Sequence, residues 1–317
     1  MGIVRNSPQL VNHAPTLLAE AVEDGHRWDS RKGQALQAAA ILKRARSIPL
    51  WRMADRMTEC ANTLTFGWVS DSDGVLSLGF RDAHFCRVRV CPICQQRESM
   101  KITAYLHRRI PGIEKQYPGH RWLFLTLTMR NPHISQLRES IKELNTAFAR
   151  LRRRKDWPAV GWIKSVEITH GRDGNPHPHM HVLLLVKPSY FTDGYIKKSR
   201  WGEIWSECLQ VQNDYTAVTD IRAVKPNAKN PKNRMAGVIA EIGKYTTKPT
   251  DLTANPEFFQ QYTQQIANLR LRASGGVLRG ILGKCWKGLE LDKPEPPQVG
   301  DNLFFDWYQP HYYQRQD

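Results

Sequence analysis

No stretch of these 317 residues reaches the roughly 20 consecutive apolar positions that a membrane-spanning helix requires. The opening residues, MGIVRNSPQL, lack the sustained apolar run of a secretory leader. Asn6 stands where a myristoylation signal has Ser or Thr, so Met1-Gly2 alone is a weak signal for it. The expectation is therefore a cytoplasmic protein. Cysteine is scarce, with 6 residues in the chain. In a reducing compartment these read as metal ligands or free thiols, not disulfides. Acidic residues are also short: 30 Asp+Glu face 46 Lys+Arg, a formal net charge of +16. Such a balance says little about fold but favours a polyanionic partner.

What is present begins with the cysteines. Cys60 is followed by Cys86, Cys91 and Cys94, the last three within FCRVRVCPICQQR. The spacing Cys91-Pro92-Ile93-Cys94 lets two thiolates face one ion, and Cys86 lies near enough to join them. Cys60 would complete a structural zinc site of four thiolates, with His84 as the alternative fourth ligand. No thioredoxin-like pattern surrounds the pair to make it redox-active. Arg87, Arg89, Arg97 and Lys101 cluster around it and suit phosphate contacts or plain solvation. Cys208 and Cys285 have no partner spacing and read as ordinary thiols.

Further on, Trp122 to Thr128 alternates as a strand, with Leu123, Leu125 and Leu127 on one face and Thr126 and Thr128 on the other. Leu137, Ile141, Leu144, Phe148 and Leu151 recur at steps of four and three, an amphipathic helix. It ends in Arg152-Arg153-Arg154-Lys155, read as solvated surface ahead of DNA contact. Ile163 to His170 reads as a second strand, and Gly171 to Pro176 as a turn. Then comes His177-Pro178-His179-Met180-His181, running into Val182-Leu183-Leu184-Leu185-Val186. Alternate residues of a strand share a face, so His179 and His181 stand side by side. Matching the apolar faces of the two strands puts Glu167 beside them, and two imidazoles with a carboxylate suffice for a divalent cation. An exposed strand glutamate is the bland alternative, and His177 is left as ligand, DNA contact or loop residue.

Trp201 to Leu209 reads as a helix and Val218 to Val224 as a strand. Lys225 to Arg234 is a basic loop. Ala236 to Lys248 reads as a helix stopped by Pro249, which would place Glu241 and Tyr245 at i and i+4, with Lys248 a turn further on. A polar helix is expected over Phe258 to Arg272, then a break at Gly275-Gly276. No chemistry is read in the acidic, aromatic tail after Leu289.

In this order, a cysteine cluster, FLTLT (Phe124 to Thr128), HPHMHVLLLV and EIGKY resemble the rolling-circle plasmid replication initiators of the HUH endonuclease superfamily, in the branch with a zinc-binding N-terminal region. The resemblance covers roughly residues 60 to 250. It implies that Tyr245 is the nucleophile, attacking DNA at the double-strand origin and keeping the 5′ end as a phosphotyrosine. It matches Glu241 to a glutamate four residues before that tyrosine, and with a single tyrosine the terminating cleavage falls to water activated by Glu241. Mn²⁺ or Mg²⁺ would sit on Glu167, His179 and His181. Lys244 and Lys248 become candidates for phosphate contacts, alongside Arg87 and Arg89. Plasmid DNA, a host helicase and the replicative polymerase are the implied partners.

The expected fold is α+β: an antiparallel sheet with helices packed on one face, ferredoxin-like or RRM-like by the family's implication, plus a small zinc module. The expected divisions are an extension over 1–55, the zinc module over 56–117, the catalytic domain over 118–255, and a helical region with tail over 256–317. Three other readings predict different outcomes. A single-strand DNA transposase shares the motifs. A non-catalytic zinc DNA-binding protein leaves the histidines idle, and a small-molecule metallohydrolase gives the charge no purpose.

Overall fold

The computed structural model describes residues 16–22, 24–70, 73–171, 173–210, 217–224, 235–244, 253–283, 298–308 and 312–316. The chain divides into two compact units, Met1–Gln96 with Glu290–Asp317, and Arg97–Leu289. The divisions expected at 55, 117 and 255 do not coincide with this one. Both units are α+β with antiparallel sheets. Among the described residues no helix is long and apolar enough to cross a membrane.

In the first unit, helices α1 (Leu18–Ala21), α2 (Gly25–Lys43) and α3 (Ile48–Thr58) precede strands β1 (Thr63–Ser70) and β2 (Leu76–Ala83). The tail supplies β8 (Gln298–Tyr308) and β9 (Tyr312–Arg315), and the sheet order is β2-β1-β8-β9. Phe66 meets Phe80 and Phe305 edge-on, and Trp28 of α2 stacks on Phe80 at 5.2 Å. Residues 1–55 are thus no loose extension where they are described: α2 packs into this core, and the tail pairs with β1.

The second unit is built on five strands in the order β6-β3-β5-β4-β7. These are β3 (Arg121–Thr128), β4 (Ala159–His170), β5 (Pro176–Val186), β6 (Thr219–Ala223) and β7 (Arg272–Gly276). Strands β4 and β5 form the expected hairpin, and all pairings are antiparallel. One face carries Leu123, Leu125, Val182, Leu184 and Val166. It is covered by α5 (Leu137–Leu151), whose stripe of Leu137, Ile141, Leu144, Phe148 and Leu151 is buried. Phe148 meets Trp162 edge-on at 5.1 Å. Helix α6 (Lys198–Leu209) joins through Trp205, whose indole N–H donates to the Thr128 carbonyl at 2.7 Å.

Helical residues pack on the second face too. Ile102, Tyr105, Leu106 and Ile110 of α4 (Pro92–Gln116) share a core with Trp122, Phe124, Ile163, Leu183 and Leu185. Val238, Ile239 and Ile242 of α7 (Ala236–Gly243) complete it. The polar half of that same face carries the histidines.

Two elements differ from expectation. The polar helix is shorter, α8 (Pro256–Gln265), capped by the Asn255 side chain accepting from the Phe258 N–H at 3.0 Å. Arg272 to Gly276 is instead strand β7, where a side chain on Gly275 would collide with the Trp162 ring and one on Gly276 with the Val160 carbonyl. Glycine here admits a neighbouring strand, not a break. Helix α7 stops at Gly243, because Lys244 turns extended (ψ 154°) and gives its carbonyl to Arg272 Nη2 at 2.6 Å. Tyr245 and Lys248, the other two members of the expected helical stripe, lie outside the described residues, as does the basic loop 225–234.

Candidate metal centres and their setting

The thiols of Cys60, Cys86, Cys91 and Cys94 converge. Sulfur separations are 3.7 Å for Cys60–Cys94, 3.6 Å for Cys86–Cys94 and 3.7 Å for Cys60–Cys91. Four sulfurs bonded tetrahedrally to one ion at about 2.3 Å stand ~3.8 Å apart, so the donor set fits a single ion. Backbone N–H groups of Cys86, Arg87 and Val88 point at the Cys60, Cys94 and Cys86 sulfurs at 3.3–3.5 Å. For the Arg87 amide the chain takes a left-handed turn (φ +56°). Such donors favour thiolate over thiol. Hydrogen bonds from the other three thiols pull the Cys60 pKa down, while the same contacts push Cys91 up. The Cys94 thiol is lowered as well: its contact with Cys60 raises it, but those with Cys86 and Cys91 outweigh that, and a bound cation would favour thiolate at all four. His84 is outside the group, and its carbonyl accepts from the Ala61 N–H. The Arg87 and Arg89 side chains are exposed.

On the large sheet, register sets the second cluster. Glu167 pairs with His179 and Ser165 with His181, so Glu167, His179 and His181 share a face. His181 Nε2 lies 3.1 Å from Glu167 Oε2, and its Nδ1 lies 3.3 Å from Thr126 Oγ1 on β3. The ring stacks on Phe124 at 5.5 Å. Glu241, reaching from α7, brings a carboxylate oxygen into the group, and the ligand atoms of Glu167, His181 and Glu241 lie within 4.8 Å of one another. Around an octahedral ion with bonds near 2.1 Å, ligands stand about 3.0 Å apart when adjacent and ~4.2 Å when opposite, so a small inward movement closes this set on a cation. His179 stands beside the group with its ring 6.0 Å from that of His181, while its Nε2 meets Thr169 Oγ1 at 2.9 Å. His177 is engaged by the Asn131 side chain, which in turn donates to Asp173 at 3.1 Å.

Electrostatics prepare these groups for a cation. Burial raises the Glu167 carboxyl, but the hydrogen bond with His181 and the charges of His181, Lys244 and His179 outweigh it, and the net shift is downward. Burial, with the neighbouring His177, lowers His179 to about 4, so its imidazole is neutral at pH 7, the form that binds metal. Lys244 Nζ bridges to Glu241 at 2.6 Å. Thr126 and Thr169 are imidazole partners that the sequence does not announce; the pairing of Thr126 with His181 comes from strand register. Of the basic run after α5, Arg154 is paired with Asp156 and Glu207, and Arg152 lies over Trp162 at 4.8 Å. Positive charge is unevenly divided. Residues 97–289 hold 32 of the 46 Lys+Arg and 15 of the 30 Asp+Glu, leaving the other unit close to neutral.

The described residues thus gather imidazoles and carboxylates at one end of an antiparallel sheet, in a strongly basic unit. The replication-protein family Rep_1 matches residues 77–299, and the chain belongs to that family. It is 37% identical over 261 residues to a Protein rep of Streptococcus pneumoniae, covering 80% of this chain and 78% of the relative. It is 33% identical over 264 residues to a Protein rep of Lentilactobacillus hilgardii, covering 80% and 81%. A Protein rep of Bacillus amyloliquefaciens is 33% identical over 278 residues, covering 80% of each chain. No solved structure matches the chain. The resemblance to plasmid replication initiators thus holds at the level of the family.

Proposed function

We propose that this protein starts rolling-circle replication of a plasmid in the cytoplasm by nicking one strand at the double-strand origin, as an endonuclease and strand transferase of the HUH type. The Tyr245 oxygen attacks the scissile phosphorus, a new O–P bond forms, and the bond to the 3′ oxygen breaks. The 5′ end stays on Tyr245 as a phosphotyrosine, and the 3′ oxygen takes a proton and is left free for the polymerase. A free phenol has a pKa near 10 and is a poor nucleophile at neutral pH, so the phosphate must be made electrophilic. A divalent ion, Mn²⁺ or Mg²⁺, would supply that polarisation when bound. Glu167, His179 and His181 would hold it, with Glu241 close enough to reach the same ion, and the Thr126 hydroxyl orients His181.

The observation that carries this reading is the approach of Glu241 to Glu167 and His181, four residues before Tyr245 in sequence. Glu241 activates the water for the terminating cleavage. Lys244, Lys248, Arg87 and Arg89 are proposed phosphate contacts, and Lys244 stands beside Glu241 in the basic unit. Zn²⁺ is the proposed ion for the four cysteines, in a structural role. The family match favours replication over transposition. A host helicase and the replicative polymerase follow as partners. The test is incubation with supercoiled origin plasmid and Mn²⁺. Wild type yields a nicked circle, and Glu167→Gln yields little. No nicked form from wild type overturns the reading.

A further inference from the structure

Lys32 lies in the middle of α2 and is fully buried. Its Nζ donates to the Thr58 carbonyl at 2.8 Å, the Cys60 carbonyl at 2.8 Å and Asn62 Oδ1 at 2.6 Å. All three acceptors are uncharged, and no carboxylate is among them. A buried ammonium satisfied only by neutral dipoles is unfavourable unless an opposite charge stands close by. The thiol cluster is its neighbour, since the Cys60 carbonyl it bonds belongs to a residue whose sulfur lies 3.7 Å from those of Cys91 and Cys94. Conversely, a divalent ion on four thiolates leaves two net negative charges in a site whose Cys60 and Cys91 are wholly buried. The three backbone N–H groups aimed at the sulfurs offset part of that charge with dipoles. Full positive charge comes from outside the donor set: the exposed Arg56 guanidinium donates to the Cys86 carbonyl, and the wholly buried Lys32 ammonium donates to that of Cys60.

We infer that Lys32 is the internal counter-charge of the four-cysteine site and tightens its hold on a divalent metal. The inference rests on the reading that these cysteines bind metal. A purely structural role, tying α2 to the Thr58–Asn62 turn, predicts a different outcome, because it leaves metal affinity untouched in any variant that folds. Asn62 is exposed, so Asn62→Asp places a carboxylate on Lys32 that cancels its field while keeping both the lysine and its hydrogen bond.

The experiment titrates the full-length protein with Zn²⁺ against a chromogenic chelator, for wild type, Lys32→Met and Asn62→Asp, with circular dichroism as the check on folding. Loss or cancellation of one charge beside a buried dianion is expected to weaken Zn²⁺ binding at least about tenfold in both variants. With Co²⁺ in place of Zn²⁺, the sulfur-to-metal charge-transfer bands should move in the same two variants, a change that a structural tie would not produce. If wild type binds no Zn²⁺, the metal reading itself fails. If wild type binds and Asn62→Asp binds within twofold of it, the metal reading stands and the role of Lys32 is overturned. That comparison decides the matter even where Lys32→Met does not fold.

Discussion

Lys164 tests the packing behind the site. It projects from β4 to the face under α5, is 5% exposed, bonds to the Asn145 side chain, and sits 5.1 Å over the Phe148 ring. Burial, with the charges of Arg152 and Arg270, lowers its pKa to about 7. In the unfolded chain a lysine titrates near 10.4. Between roughly pH 7 and pH 10 the unfolded state therefore holds a proton that the folded state has released, and stability must rise with pH. Around pH 8 the slope is ~1.2 kcal/mol per pH unit, and the whole window is worth at most about 4 kcal/mol. Lys164→Met removes this contribution and leaves a constant offset for the lost hydrogen bond. Urea unfolding of both proteins at pH 7, 8 and 9 gives the difference, in which other titrating groups cancel. Wild type should gain on the variant by ~1 kcal/mol per unit as pH rises. A difference that does not change with pH, or changes the other way, refutes the account of a lysine buried without a counter-charge.

Glu241→Ala should spare the first nick and impair the terminating cleavage, read as accumulation of an unresolved covalent species on origin plasmid. Equal loss of both steps removes its role as water activator. Stripping metal with a chelator should melt the cysteine-bearing unit, since structural zinc contributes ~10–16 kcal/mol of binding free energy in small modules. A circular dichroism spectrum unchanged after proven metal loss contradicts that. Gly275→Ala forces a methyl against the Trp162 ring and should destabilise the basic unit by about 1–3 kcal/mol. An unaltered Tm would mean β7 does not lie so close to β4.

Strand β3, helix α5 and the β4–β5 hairpin were legible because each carries its own periodicity, and one face of each is buried without help from distant sequence. Parity alone brought Glu167 to the histidine face. The four-stranded sheet was not read, although Leu303, Phe305 and Trp307 alternate as a strand should. Its strands β1 and β8 are joined across more than two hundred residues of sequence, and such pairing leaves no local mark beyond that alternation. Ile102, Leu106 and Ile110 in steps of four did announce α4, but Pro111 and the surrounding charges obscured it. The end of α7 at Gly243 was not readable from EIGKYTTK, because it depends on Arg272 of another strand capturing the Lys244 carbonyl. Nor did sequence spacing show how near Glu241 comes to Glu167 and His181, which is a matter of tertiary packing.

The central claim is that a tyrosine phenol attacks a phosphodiester held against a histidine-and-carboxylate cation site. The direct measurement is mass spectrometry of the protein after reaction with a single-stranded origin oligonucleotide and Mn²⁺, followed by peptide mapping. The account predicts one covalent adduct, on Tyr245, that forms only with the divalent ion and is lost in Tyr245→Phe and His181→Ala. Cleavage without an adduct, or an adduct on any other side chain, contradicts it.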